Sequence, residues 1–184
     1  MTRITLVLLA AAVVSATAAH PQQPASAPPQ AEGQPGQMHH GTHPPVLAGP
    51  LKITFGEKSS EWTAEKLAAL PHLSITVYNE HAKATQTYSG VPLIELLKPL
   101  GVPDKPRGKD FRLYLIVEGS DGYQVIYSVA EATPDVHDAT VLVADAMDGK
   151  PLGDNGPIQL VATGEKRPAR WVRNLVSIQV KTAE

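Results

Sequence analysis

Short apolar runs of strand length, separated by turn signals, dominate the sequence after residue 48. Turn-forming pairs such as Asp121-Gly122 and Asp148-Gly149 stand between these runs. Short strands must bury one face against other strands or helices, so this pattern predicts one mostly β domain of class α+β over residues 49–184. The clearest runs are LKITF, FRLYLIV, YQVIYSV, TVLVADA, PIQLVA and LVSIQV.

The sequence predicts two or three short helices and one hairpin among the strands, and two of the helices can be located. The stretch WTAEKLAALP predicts a helix that begins after an N-cap at Thr63 and stops at Pro71. The stretch VPLIELLKPLG predicts a second helix with Pro92 near its first turn and Pro99 interrupting its end. LSITVYN and ATQTYSG, separated by the polar EHAK, predict a hairpin whose first strand turns Leu73, Ile75 and Val77 to one face.

The sequence before residue 49 is of a different kind. Residues 1–18 have Arg3 near the start, then an apolar run too short to span a bilayer, then an A-x-A cleavage site, which is the layout of a signal peptide. Residues 19–48 are rich in Pro, Gln and His, which predicts a disordered tether. We therefore expect a periplasmic or secreted protein that has no membrane attachment after signal cleavage.

Charge and cysteine content restrict the partners and metal ligands that this sequence can offer. The formal net charge is −2, so nothing global indicates nucleic acid as a partner, and electrostatic recognition must be local. The sequence contains no cysteine, so it supplies neither disulfides nor a thiolate ligand for a metal.

The stretch GEKRPARWVR is the strongest local charge feature. It places Lys166, Arg167, Arg170 and Arg173 around Trp171. Arginine guanidinium groups bind phosphate or carboxylate in a bidentate manner and an indole offers a face for stacking, so the stretch has the groups needed to bind an anionic, planar ligand. The alternative is a solvated turn in which the glutamate pairs with a neighbouring cation and the tryptophan belongs to the core.

Three further groups carry titratable or metal-binding side chains. In the tether, MHHGTH provides a methionine and three histidines that either bind copper or zinc or form a polar linker. Asp121 and Tyr123 either line a pocket or serve as turn and core residues. HDATVLVADAMDG supplies a histidine with carboxylates, but no serine or second histidine at an informative spacing, so we assign no catalytic residue. The metal-binding candidates of MHHGTH are Met38, His39, His40 and His43. The titratable residues of HDATVLVADAMDG are His137, Asp138, Asp145 and Asp148.

Three stretches, taken in order, resemble one protein family. They are YSGVPLIELLKPLGV, VEGSDGYQVIYSVAEA and LVADAMDGKPLGDNGPIQLVATGEKRPARWVRNLVSIQV. They are similar to the G-V-P-L segment with its leucine-rich helix, the Asp-Gly-Tyr turn, and the closing basic-Trp motif of the oxidoreductase molybdopterin-binding domain, the sulfite-oxidase-like fold. The resemblance implies a mixed α+β domain that encloses a pyranopterin. By position, it makes Arg170 the residue that helps hold the cofactor, with Arg173 close by.

Two departures from this family bear on function. Its sulfite-oxidising members ligate molybdenum through a cysteine before the G-V-P-L motif, where this chain has no cysteine and offers only side chains such as Tyr78 and His81. The single Arg3 resembles a Sec-type signal, through which a chain passes unfolded and without molybdopterin. The sequence thus favours a domain with neither metal nor cofactor that binds an anionic small molecule or a periplasmic partner protein. The alternative is a molybdopterin-dependent oxidoreductase that holds its cofactor without a cysteine.

Overall fold

The computed structural model describes residues 49–184, and the predicted signal peptide and the tether with its MHHGTH stretch lie outside the described residues. The described part contains ten strands, two α-helices and several short 3-10 segments. This composition confirms the predicted α+β, mostly β class. The strands are β1 (Leu51–Phe55), β2 (Lys58–Trp62), β3 (Leu73–Asn79), β4 (Ala84–Pro92), β5 (Leu113–Gly119), β6 (Gln124–Ser128), β7 (Val141–Met147), β8 (Lys150–Pro151), β9 (Gln159–Ala162) and β10 (Leu175–Thr182).

The strands form two five-stranded sheets. The first has the order β2-β1-β10-β5-β6, and the second has the order β3-β4-β7-β8 with β9 also paired to β7. Every pairing is antiparallel except that of β1 with β10, which is parallel and sets Ile53 beside Ile178. Leu115 and Ile178 of the first sheet and Tyr88 and Leu142 of the second belong to one cluster of buried residues. The two sheets therefore share a core.

Both predicted helices are present and short. In α1 (Ala64–Ala68) the Thr63 hydroxyl accepts the Lys66 backbone N–H, which confirms the N-cap. In α2 (Leu93–Leu97) four residues are buried, and the chain continues through a 3-10 turn, Lys98–Leu100, that contains Pro99. The proline lacks an N–H and cannot extend the α-helix, which is why the hydrogen-bonding pattern changes there.

Gly90, the glycine of the G-V-P-L motif, allows β4 to approach β7 closely. A Cβ at this position would lie 2.2 Å from the Val143 carbonyl oxygen, and the register of β4 against β7 shifts between Ser89 and Gly90. Only a residue without a side chain fits between the two backbones. The motif glycine therefore has a packing role between β4 and β7.

Three details differ from the sequence predictions. The polar strand β2 was not expected, because KSSEW has no apolar alternation; it is an edge strand held by backbone pairing to β1. Leu73, predicted to share one face with Ile75 and Val77, is exposed although Ile75 is buried, since it lies at the start of the edge strand β3. Tyr123, for which a core position was one of two interpretations, is also exposed and precedes β6, whereas Tyr127 within β6 is buried.

Candidate functional site

A cavity of about 510 Å³ lies beside the hairpin turn between β3 and β4, residues 80–83, and the basic segment, residues 165–173. We call it the main cavity. Its wall combines charged and amide side chains with a floor of aromatic and small residues. The lining residues are Asn79, Glu80, His81, Lys83, Asn155, Gln159, Arg167 and Arg173, with Tyr88, Pro168, Ala169 and Trp171.

The hairpin turn is fixed by one buried side chain. Asn79 Oδ1 accepts the backbone N–H groups of His81 and Ala82 at 3.0 and 3.2 Å, and its Nδ2 donates to Gln86 Oε1 at 2.8 Å. An asparagine that bonds the backbone two and three residues ahead forms an Asx-type turn. The turn ends at Lys83, whose φ of 53° lies in the left-handed region. Asn79 therefore positions the three turn residues that line the cavity.

Aromatic residues form the floor of the main cavity. Trp171 is 7% exposed and its Nε1 donates to the Ala162 carbonyl at 3.0 Å. Its ring meets that of Tyr88 edge to face, with centroids 5.6 Å apart. Burial raises the pKa of the Tyr88 hydroxyl, which donates to Gln86 Oε1. Trp171 is thus both a core residue and part of the cavity surface.

Arg170 takes part in a separate cluster. Its guanidinium contacts two carboxylates: Nη2 donates to Glu131 Oε1 at 3.0 Å, and Nε donates to Glu165 Oε1 at 2.9 Å. The same group lies 4.4 Å from the centre of the Tyr127 ring, a cation–π contact. Burial lowers the pKa of Arg170, but the hydrogen bonds to Glu131 and Glu165 outweigh it and raise that pKa overall. Arg170 does not line the main cavity.

The cations of the main cavity are Lys83, Arg167 and Arg173. Lys83 Nζ lies 2.5 Å from Glu80 Oε2, and this contact lowers the pKa of the Glu80 carboxyl. Among the residues that the structure describes, neither Arg167 nor Arg173 forms a salt bridge. Two exposed guanidinium groups without carboxylate partners leave their forked donors available for an oxyanion.

Gln159 is the most deeply buried polar residue of the cavity wall. It lies at the start of β9, is 3% exposed, and pairs with Ala144 of β7. Its Oε1 atom is buried and has no hydrogen-bond partner within residues 49–184. Native proteins leave few buried polar atoms unpaired, because each such atom has lost its bonds to water.

A smaller groove continues from the main cavity. It has a volume of about 270 Å³ and shares the floor residues Pro168, Ala169 and Trp171, together with Arg173, with the main cavity. Its far wall is formed by Asp121, whose Oδ1 accepts the Tyr123 N–H in a turn, and by Tyr123, whose hydroxyl donates to the Ala169 carbonyl. Asp121 and Tyr123 are therefore at once turn residues and parts of a groove wall.

A second cavity, of about 620 Å³, has His72 and Asp145 in its wall. Nε2 of His72 lies 3.0 Å from Asp145 Oδ2, and its Nδ1 lies 2.7 Å from the Leu70 carbonyl oxygen. The hydrogen bond to Asp145 is the main reason that the pKa of His72 is raised. A ring with an acceptor at each nitrogen satisfies both only as the imidazolium.

The structure separates the residues that the sequence grouped together. Of the predicted ligand-binding set, Arg167, Trp171 and Arg173 line the main cavity, whereas Lys166 and Arg170 do not. His81 also lines this cavity, whereas Tyr78 does not.

Two of the carboxylates that follow His137 in the sequence have separate structural partners. Asp145 pairs with His72, and Asp148 Oδ1 accepts the Thr87 backbone N–H at 2.8 Å. Nδ1 of His137 accepts the backbone N–H of Ala139 within its own turn. These contacts do not form a catalytic arrangement.

Sequence reasoning missed the amide residues Asn79, Asn155 and Gln159 of the cavity wall. A signal for one was present, because Gln159 is the only polar residue in the apolar run PIQLVA. The signal for Asn79 is weaker, since an asparagine before a polar turn is common.

The described part of the chain has no ready-made metal site. Within residues 49–184 no three His, Asp or Glu side chains come together in a group that could hold a metal ion. None of the helices found between these residues has the length and apolar character needed to cross a membrane.

Two comparisons place the chain among known proteins. The family model for the oxidoreductase molybdopterin binding domain matches residues 51–184. The DNA primase small subunit PriS of Thermoplasma volcanium is 33% identical over 82 residues, which is 45% of this chain. The match spans 23% of the primase subunit's own length.

Proposed function

Because the chain belongs to the oxidoreductase molybdopterin-binding domain family, we propose that it uses the main cavity of that domain to bind an anionic small molecule. The observation that carries this proposal is the pair Arg167 and Arg173, which line the cavity with no salt-bridge partner in the described part of the chain. A volume of about 510 Å³ lies within the usual range for small-molecule sites.

The residues around the cavity suit the organic part of a molybdopterin cofactor better than its metal. Guanidinium groups complement a phosphate, and Gln159 Oε1 can accept a donor from a heterocyclic ring. The sequence has no cysteine to act as the thiolate ligand of molybdenum, so a protein-to-metal bond of the kind found in the sulfite-oxidising members does not fit. We therefore favour a binding protein that forms no such bond.

The first test is a calorimetric titration with inorganic phosphate. We expect the unmodified protein to bind phosphate and the double variant R167A/R173A to lose at least about tenfold in affinity, since each charge-assisted hydrogen bond contributes about 1.5–3 kcal/mol. The double variant K109A/R112A removes two exposed cations outside the cavity and serves as the charge-matched control. Equal affinity of all three proteins would exclude the cavity as the anion site.

The second candidate function is a molybdopterin-dependent oxidoreductase that holds its cofactor through phosphate contacts alone. Family membership favours it. The test is elemental analysis for molybdenum together with pterin fluorescence on untagged protein from its native source. Stoichiometric molybdenum and pterin would establish this candidate, and the absence of both would leave the binding protein.

We also propose that the protein is exported, with residues 1–18 removed as a signal peptide. The support is the layout of the sequence alone, with a charged start, an apolar run and an A-x-A site. Mass spectrometry of the native protein tests it: a mature N-terminus just after residue 18 is expected, and an intact residue 1 would contradict it. For an exported protein, the second kind of ligand to test, after anionic small molecules, is a periplasmic partner protein.

A further inference from the structure

Gln159 stands out among the amide side chains of the main cavity. Asn79, in the same wall, uses its Oδ1 for two backbone N–H groups and its Nδ2 for Gln86. Gln159 is even more buried, yet its Oε1 has no partner within residues 49–184. A buried acceptor without a donor destabilises the free protein, whereas an apolar side chain of the same length would not.

Gln159 is the polar residue of an otherwise apolar, buried strand. Leu160, Val161 and Ala162 complete β9 and are all buried. The backbone of Gln159 is held by its pairing with Ala144, which requires no particular side chain. The glutamine is thus costly for the fold and placed in the wall of a cavity, which is typical of a residue kept for binding.

We propose that Gln159 Oε1 accepts a hydrogen bond from the ligand. The ligand is then bifunctional: one end is an oxyanion held by Arg167 and Arg173, and another part carries an N–H or O–H donor that faces Gln159. This inference rests on the proposed anion-binding function, and it adds the selectivity that an anion site alone lacks. A site built to pair a donor rejects analogues without one, because its buried acceptor is then left unpaired.

The first readout is the stability of the protein without ligand. Gln159→Met keeps the length of the side chain and removes its polar atoms, so we expect a rise in melting temperature of about 2–4 °C. Gln124→Met, at an exposed position of β6, is the matched control and is expected to leave the melting temperature unchanged. A fall in the melting temperature of Gln159→Met would mean that Oε1 has a structural partner, and would overturn the proposal.

The second readout is binding of inorganic phosphate and of phosphate monoesters in pairs that differ by one donor, such as phenyl phosphate and 4-aminophenyl phosphate, together with nucleoside 5′-monophosphates. We expect at least one donor-bearing ester to bind about tenfold more tightly than its donor-free counterpart. Gln159→Met should lose this preference and keep its affinity for inorganic phosphate.

The outcomes separate the two proposals. If no anion binds, or if binding is the same in R167A/R173A, the proposed function fails and the inference fails with it. If anions bind through the two arginines but no donor-bearing ester is preferred, or if Gln159→Met keeps the preference, only the role of Gln159 is refuted.

Discussion

Arg170 and Arg173 lie three residues apart in the basic segment, and their surroundings are opposite. The Arg170 guanidinium is surrounded by Glu131, Glu165 and the Tyr127 ring, whereas Arg173 is exposed and lines the main cavity without a salt bridge in the described residues. A charged cluster in a sequence therefore does not have one function. Partners supplied from distant elements decide which cations remain available.

The Arg170 cluster holds the basic segment against β6. Besides the ion pairs, the Tyr127 hydroxyl donates to the Arg170 carbonyl at 2.8 Å, and Arg170 Nη1 donates to the Ile126 carbonyl at 3.3 Å. The Tyr123 hydroxyl bonds the neighbouring Ala169 carbonyl. These contacts fix the backbone of the segment that contains Arg167 and Arg173. Arg170 therefore helps to position the two arginines that line the main cavity.

Replacement of Arg170 by alanine is expected to have the largest effect on stability. It would leave Glu165 without a donor and Glu131 with only the Ser128 backbone N–H, so we expect the free energy of unfolding to fall by about 1–2 kcal/mol, a value reduced for the partial exposure of the cluster. Denaturant unfolding measures this change. R173A is the control, and its stability should stay within about 0.5 kcal/mol of the unmodified protein.

The opposite result would break the comparison. If R170A unfolds at the same denaturant concentration as the unmodified protein but no longer binds phosphate, Arg170 is a ligand-binding residue. The role that the family resemblance gives to its position would then hold.

A smaller effect is expected at Glu80, the carboxylate of the main cavity. It pairs with Lys83, and Arg167 helps to lower its pKa. Glu80→Gln removes a negative charge from the cavity wall and frees Lys83, so phosphate affinity should rise about two- to fivefold at low salt. Titrations at low and high ionic strength check this, because the gain should shrink as salt screens the charges. A loss of affinity would mean that Glu80 contacts the ligand.

The smallest effect is expected in the second cavity, where a histidine and a carboxylate are paired. The folded-state pKa of His72 is raised above its usual value of 6.5, so its stabilising contribution is full below that pH and is lost as the pH rises through the folded pKa. His72→Gln should therefore cost about 0.5 kcal/mol near pH 5.5 and less near pH 8.5. Unfolding curves at the two pH values measure it. A cost that grows with pH would show that the ring is held neutral.

The sequence predicted the regular elements better than the site. Thr63 as N-cap, the hairpin around EHAK and the five later strands depend on local patterns, and all are present. The site depends on contacts between distant residues, such as Arg170 with Glu131, and no spacing within one sequence encodes such pairs. Trp171 illustrates this limit of sequence reasoning. From the sequence, a core position and a ligand-facing position are alternatives, whereas in the structure the residue is buried and also lines the main cavity.

The position of β10 has a consequence for the timing of folding. This last strand lies between β1 and β5, and its parallel partner β1 is the first strand of the domain. The first sheet therefore cannot close until the residues of β10 have been synthesised, and its pairing joins residues that are far apart in sequence, which slows folding. Removal of the last strand would take away the middle of this sheet rather than its edge.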